Sequence, residues 1–123
     1  MIEPPYYINL LFGNITCAQA DLLHAGVMVR DVPESTFWAF AGIGNDQFVM
    51  NSLSVVCGGG IRVGLEDNIW YDQSRTKLAT NSDLLTRMHG IATSHEREIM
   101  PSMEMRNLLK LLPGNGEYGR QTA

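Results

Sequence analysis

Nowhere in this chain do apolar residues run together for the ~20 positions that a membrane-spanning helix needs. Basic residues are also short: 9 Lys and Arg stand against 13 Asp and Glu, a net charge of −4. That balance gives no electrostatic footprint for DNA or RNA. Cysteine is nearly absent. Cys17 and Cys57 show no CxxC spacing and are too few for a disulfide scaffold, so a reducing, cytoplasmic compartment is expected. The opening MIEPPYY lacks the basic and apolar regions of a secretory leader. What remains is ordinary globular composition, 45% apolar and 18% charged over 123 residues.

The order of patterns is informative. Tyr6 to Phe12 is an almost continuous apolar run ended by Gly13-Asn14, and it predicts a strand buried on both faces. Residues 17–30 predict a helix with Leu22, Leu23, Val27 and Met28 on adjoining turns. Thr36 to Ala41 predicts a second buried strand, stopped by Gly42-Ile43-Gly44. Asp46 is placed to cap a helix running to about Cys57. Gly58-Gly59-Gly60 ends that helix and opens a third strand over 61–65, followed by a polar loop over 66–79. Thr80 or Asn81 caps a further helix carrying Leu84, Leu85, Met88, Ile91 and Ala92, and Pro101 starts a last short helix ending near Leu112. Strands and helices alternating at this spacing mean an α/β protein built of parallel βα units. The polar residues 113–123 predict a disordered tail.

Three parallel strands leave two open edges, which either an oligomer or a larger sheet must cover. The third strand suggests which. Ile61, Val63 and Leu65 share one face, while Arg62, Gly64 and Glu66 share the other. Charges facing the inside of a plain buried sheet are costly unless paired. In a barrel the apolar face meets outer helices, the charges point inward, and Glu66 and Asp67 sit at the C-terminal mouth where barrel active sites form. An edge strand with one solvated face explains the same alternation.

Gly58-Gly59-Gly60-Ile61-Arg62-Val63-Gly64-Leu65-Glu66-Asp67-Asn68 resembles the signature near the end of the β-keto acid cleavage enzymes, a zinc-dependent (β/α)8-barrel family that includes 3-keto-5-aminohexanoate cleavage enzymes. Ala41-Gly42-Ile43-Gly44 and Leu78-Ala79-Thr80-Asn81 are similar to the family's flanking patterns, and the resemblance runs from about Tyr6 to Leu112. It implies that residues 1–112 are the last three βα units of a TIM-type barrel, incomplete in this chain. The implied activity is acyl transfer of retro-Claisen type: a β-keto acid and acetyl-CoA give acetoacetate and a shorter acyl-CoA.

By that resemblance Glu66 is a carboxylate ligand of zinc. Two further histidine ligands belong to a His-x-His motif on an early strand, absent here. His24, His89 and His95 are isolated, and each is expected to be a helix residue without a metal role. Asp67 matches the family's general base and Arg62 the residue paired with it. A guanidinium there orients the carboxylate and is expected to lower its basicity. The plainer readings are a solvated carboxylate for Glu66 and a loop-closing ion pair for Arg62 and Asp67. Gly42-Ile43-Gly44 is expected to be a tight turn rather than a phosphate cradle, because the third glycine of a dinucleotide fingerprint is missing. Trp70, Tyr71 and Arg75 are expected to pack the loop. With one metal ligand of three, the chain alone is expected to be inactive unless a complementary N-terminal half, or a homo-oligomer, completes the site. The rival from another class is a non-catalytic α/β oligomerisation module.

Overall fold

A computed structural model describes residues 3–112. The expected tail at 113–123 lies outside them. Three strands, β1 (Tyr6–Phe12), β2 (Thr36–Gly42) and β3 (Gly60–Ile61), alternate with helices α1 (Leu22–Asp31) and α2 (Gln47–Val56). Helices α3 (Asn81–Ser94) and α4 (Ser102–Leu108) complete the order. The sheet has the order β1-β2-β3 and both pairings are parallel. The register sets Ile8 beside Trp38, Leu10 beside Phe40, and Phe40 beside Ile61.

Both connecting helices cover the same face of the sheet. Ile8, Leu10 and Phe12 of β1 and Trp38 and Phe40 of β2 pack with Ala25 and Met28 of α1 and Met50 and Leu53 of α2. The Phe12 and Phe40 rings lie 4.8 Å apart and tilted, an arrangement aromatic pairs favour. A doubly wound sheet covers both faces. Here the second face of β1 presents Tyr7 and Asn9 to solvent. The expectation that β1 is buried on both faces is therefore corrected: it is an edge strand covered on one side.

The first helix starts at Leu22, five residues later than predicted, because the Asp21 carboxylate accepts the His24 amide at 2.9 Å and caps the helix there. Asp46 precedes α2 but its side chain makes no capping bond; it ends a 3-10 turn over Gly44–Asp46. Gly42 is required at this turn, because a Cβ would overlap the Asp46 backbone as the chain doubles into α2. Of the two expected caps it is Thr80 that caps α3, in a capping box with Asp83, and Leu84, Met88 and Ala92 are buried while Leu85 is half-exposed.

The strand expected over 61–65 is only two residues long. The Arg62 amide still reaches the Phe40 carbonyl at 3.1 Å, but the ladder stops there. Beyond it, the Gly64 carbonyl accepts Gln47 Nε2 at 2.9 Å, and the Leu65 amide donates to Asn81 Oδ1 at 3.1 Å. Side chains of α2 and α3 thus replace a strand partner. Among the described residues no helix is long and apolar enough to cross a membrane.

Candidate active site

The C-terminal ends of the strands gather the polar residues. Arg62 follows the last residue of β3, its amide bonded to the Phe40 carbonyl, while Ile61 and Val63 line a cavity with Met88 and Ala92 of α3. Ile61 and Val63 thus share that cavity while Arg62 does not line it, although the segment has left the ladder. The chain turns at Gly64, whose carbonyl also accepts the amides of Asp67 at 3.2 Å and Asn68 at 3.4 Å. That turn brings both carboxylates to one guanidinium. Arg62 Nη2 lies 2.7 Å from Glu66 Oε2 and 3.4 Å from Asp67 Oδ1.

The two acids differ in environment. Glu66 is 81% exposed, whereas only 4% of the Asp67 side chain meets solvent. Burial pushes the Asp67 carboxyl above its ordinary value; Arg62 pulls it down and Glu66 pushes it further up. Arg62 lowers the value as expected, but the net direction is upward. Desolvation of the charged form outweighs one guanidinium at 3.4 Å.

Two neighbouring turns fix the position. The Gly44 amide donates to the Asp67 carbonyl at 2.8 Å, joining the turn after β2 to the loop after β3. Gly42-Ile43-Gly44 is thus a tight turn, as expected, with Gly44 at φ +59°. Asn68 clasps Trp70 through two bonds, its Nδ2 donating to the carbonyl and its Oδ1 accepting the amide. The loop beyond is well tied. Trp70 and Leu78 form an antiparallel bridge, and Asp72 accepts hydrogen bonds from Ser74, Thr76 and Lys77, which hold its carboxyl far below the usual range. The Arg87 guanidinium lies 4.4 Å from the Phe48 ring and 4.5 Å from Tyr71, and donates to the Tyr71 carbonyl. Tyr71 packs as expected; Arg75 instead remains exposed and reaches Asn45.

Sequence reasoning passed over a buried polar stripe on α2. Gln47, Asn51 and Ser54 are fully buried, while Val49 and Val56 of the same helix are exposed. Ser54 Oγ accepts the Phe40 amide and donates to the Gly60 carbonyl, so Ser54 and Gln47 hold the backbone on either side of Arg62. The signal was available: polar residues at i, i+4 and i+7 beside apolar residues on the remaining faces invert the usual amphipathic pattern.

Among the described residues no three His, Cys, Asp or Glu converge as a metal set. Glu66 offers one exposed carboxylate, a donor type zinc accepts, paired here with Arg62. His24 is paired with Asp21 on α1 at 2.8 Å, and His95 closes α3. His89 lines the same cavity as Ile61 and Val63, about 540 Å³ in volume, which none of Arg62, Glu66 and Asp67 lines.

A family model described as beta-keto acid cleavage enzyme matches residues 1–111. The 3-keto-5-aminohexanoate cleavage enzyme of Fusobacterium nucleatum is 33% identical over 111 residues, covering 89% of this chain and 39% of that protein. The 3-dehydrocarnitine:acetyl-CoA trimethylamine transferase of Rhizobium meliloti is 37% identical over 112 residues, 90% of this chain and 36% of that protein. The 3-oxoadipate:acetyl-CoA acetyltransferase of Cupriavidus necator is 35% identical over 82 residues. The chain spans less than two fifths of the length of these curated relatives.

Proposed function

The chain belongs to the beta-keto acid cleavage enzyme family, and from that premise we propose that it contributes the acid-base part of an acyl-transfer site acting on a β-keto acid and acetyl-CoA. The products are acetoacetate and a shorter acyl-CoA. The observation that carries the proposal is the buried Asp67, raised in pKa and held beside Arg62 at the C-terminal end of a parallel sheet.

In this reading Asp67 takes a proton from the carbon next to a substrate carbonyl. Its raised pKa supports that role, because a base works best when its pKa approaches the working pH. Arg62 orients Asp67 and keeps the ionised form accessible in a buried setting. Glu66, exposed beside them, is the carboxylate that would hold zinc, with two histidines from outside these residues. Zinc there would supply Lewis acidity toward a carbonyl oxygen that gains negative charge. The three βα units would belong to a (β/α)8 barrel over residues 1–112, in a cytoplasmic setting that suits the free Cys17 and Cys57. One-sided helix cover and open strand edges support that architecture, with the complementary strands supplied by an N-terminal half or another copy. A non-catalytic interaction module would use the same open edges, but it has no need of a buried, uphill-shifted carboxylate beside an arginine.

Titration of the isotope-labelled chain with acetoacetate tests the site. Amide resonances of residues 62–68 are expected to shift and saturate, and Asp67→Asn to weaken that response. Shifts confined to other parts of the chain would overturn the proposal.

A further inference from the structure

The charge at the mouth does not balance for an anionic substrate. Arg62 is committed to both Glu66 and Asp67, which leaves this trio with one negative charge in excess. A β-keto acid and acetyl-CoA are both anions. Beyond any zinc that Glu66 would hold, binding the carboxylate or phosphate end of either calls for a cation close to the trio and not already neutralised.

Arg75 meets that description. Its Nε and Nη2 both donate to Asn45 Oδ1, each at 3.3 Å. Asn45 is neutral, and among the described residues no carboxylate lies within ion-pair reach of Arg75. Asp72, three residues before Arg75, is taken up by Ser74, Thr76 and Lys77, and Asp46, next to Asn45, sits against Gly13. Asn45 follows Gly44, whose amide is bonded to the Asp67 carbonyl, so the guanidinium stands on the turn that also fixes the base. Gly44 leaves open space where its side chain would be.

The loop is built to hold Arg75 there. Arg75 itself has φ +58°, a conformation costly for a residue with a Cβ. Asp72 supports the bend through Ser74, Thr76 and Lys77, and its carbonyl accepts the Arg75 amide at 3.1 Å. Tyr71, at the base of the loop, is held between the cations of Arg87 and Lys77. Backbone strain in a firmly tied loop presents one unneutralised guanidinium, and such strain is characteristic of ligand clamps.

We propose that Arg75 is the anion-recognition residue of this site, binding through its planar fork a substrate carboxylate or phosphate. The proposal rests on the acyl-transfer reading. Asn45 serves as the placeholder that a substrate oxygen displaces or shares. A guanidinium suits either anion, because its fork matches both carboxylate and phosphate oxygens.

The test uses the labelled chain with two probes, acetoacetate for the keto-acid carboxylate and adenosine 3′,5′-bisphosphate for the phosphates of acetyl-CoA. The readouts are the Arg75 Nε–H resonance and the amides of Gly44 and Asn45. At least one probe is expected to shift all three, and Arg75→Gln to weaken that probe by roughly tenfold, as loss of one charge-assisted hydrogen bond predicts. Arg75→Lys is expected to recover part of the loss by restoring charge without the fork. Response to acetoacetate alone assigns the keto-acid carboxylate, and response to the bisphosphate alone assigns the coenzyme; both support the inference. Undisturbed resonances elsewhere in Arg75→Gln establish that it is folded. Shifts at 62–68 with unchanged affinity in Arg75→Gln would overturn the role of Arg75 and leave the acyl-transfer reading standing. No response at either set of residues would overturn both.

Discussion

At Asp67 three influences compete, and their order sets the chemistry. Burial raises the carboxyl most, Arg62 opposes it, and Glu66 adds to it through like charge. Each can be removed separately. Arg62→Gln is expected to raise the Asp67 titration midpoint further, because only the lowering influence is lost. Glu66→Gln is expected to lower it, because a repulsive charge is lost. Carboxyl carbon shifts followed against pH read both midpoints. The stability consequence has a definite sign. The folded value lies above the ordinary aspartate value of 3.8, so the stabilising share of Asp67 is fully present below 3.8 and is lost as pH rises through the folded midpoint. Asp67→Asn removes that loss, and its stability relative to the parent chain should grow as pH rises through that window. A midpoint below 3.8 in the parent chain would contradict this ordering of effects.

The elements show where sequence and structure part company. Strands β1 and β2 were legible because Tyr6 to Phe12 and Thr36 to Ala41 are dense apolar runs closed by glycine, and both form with nearly those bounds. The capping box of α3 was legible because Thr80 and Asp83 have the required spacing. The third strand was not. Ile61, Val63 and Leu65 keep a strand's period, yet hydrogen bonds to Gln47 and Asn81 take the backbone out of the ladder after Ile61. A period-2 pattern reports alternation of side chains, not the partner of each amide. The grouping of Arg62, Glu66 and Asp67 was legible from their spacing, while the direction of the Asp67 shift was not, because burial is a property of the folded chain. The α2 stripe gives a further test. Ser54→Ala strips a partner from both the Phe40 amide and the Gly60 carbonyl, and should cost about 1–3 kcal/mol in denaturant unfolding. Asn51 differs: its side-chain oxygen and nitrogen are buried and have no partner. Asn51→Leu should therefore be neutral or stabilising. A loss in Asn51→Leu as large as in Ser54→Ala would contradict that account of the stripe.

For the whole molecule, the sheet and its helices make a layer that is finished on one side only. Helices α1 and α2 bury one face, and among the described residues β1 and β3 each leave an edge unpaired by another strand. The polar residues lie at the C-terminal end of that layer, where parallel α/β proteins place their sites. The central claim is that this layer carries the base of an acyl-transfer site, and that Asp67 is that base. The most direct measurement grafts residues 1–111, the span that the family model matches, into the Fusobacterium nucleatum relative in place of its corresponding segment. The product is then assayed for acetoacetate formation from a β-keto acid and acetyl-CoA. The account predicts an active exchange protein whose kcat falls roughly a hundredfold or more with Asp67→Asn, as loss of a general base requires. An exchange protein that works equally well with Asp67→Asn would contradict it.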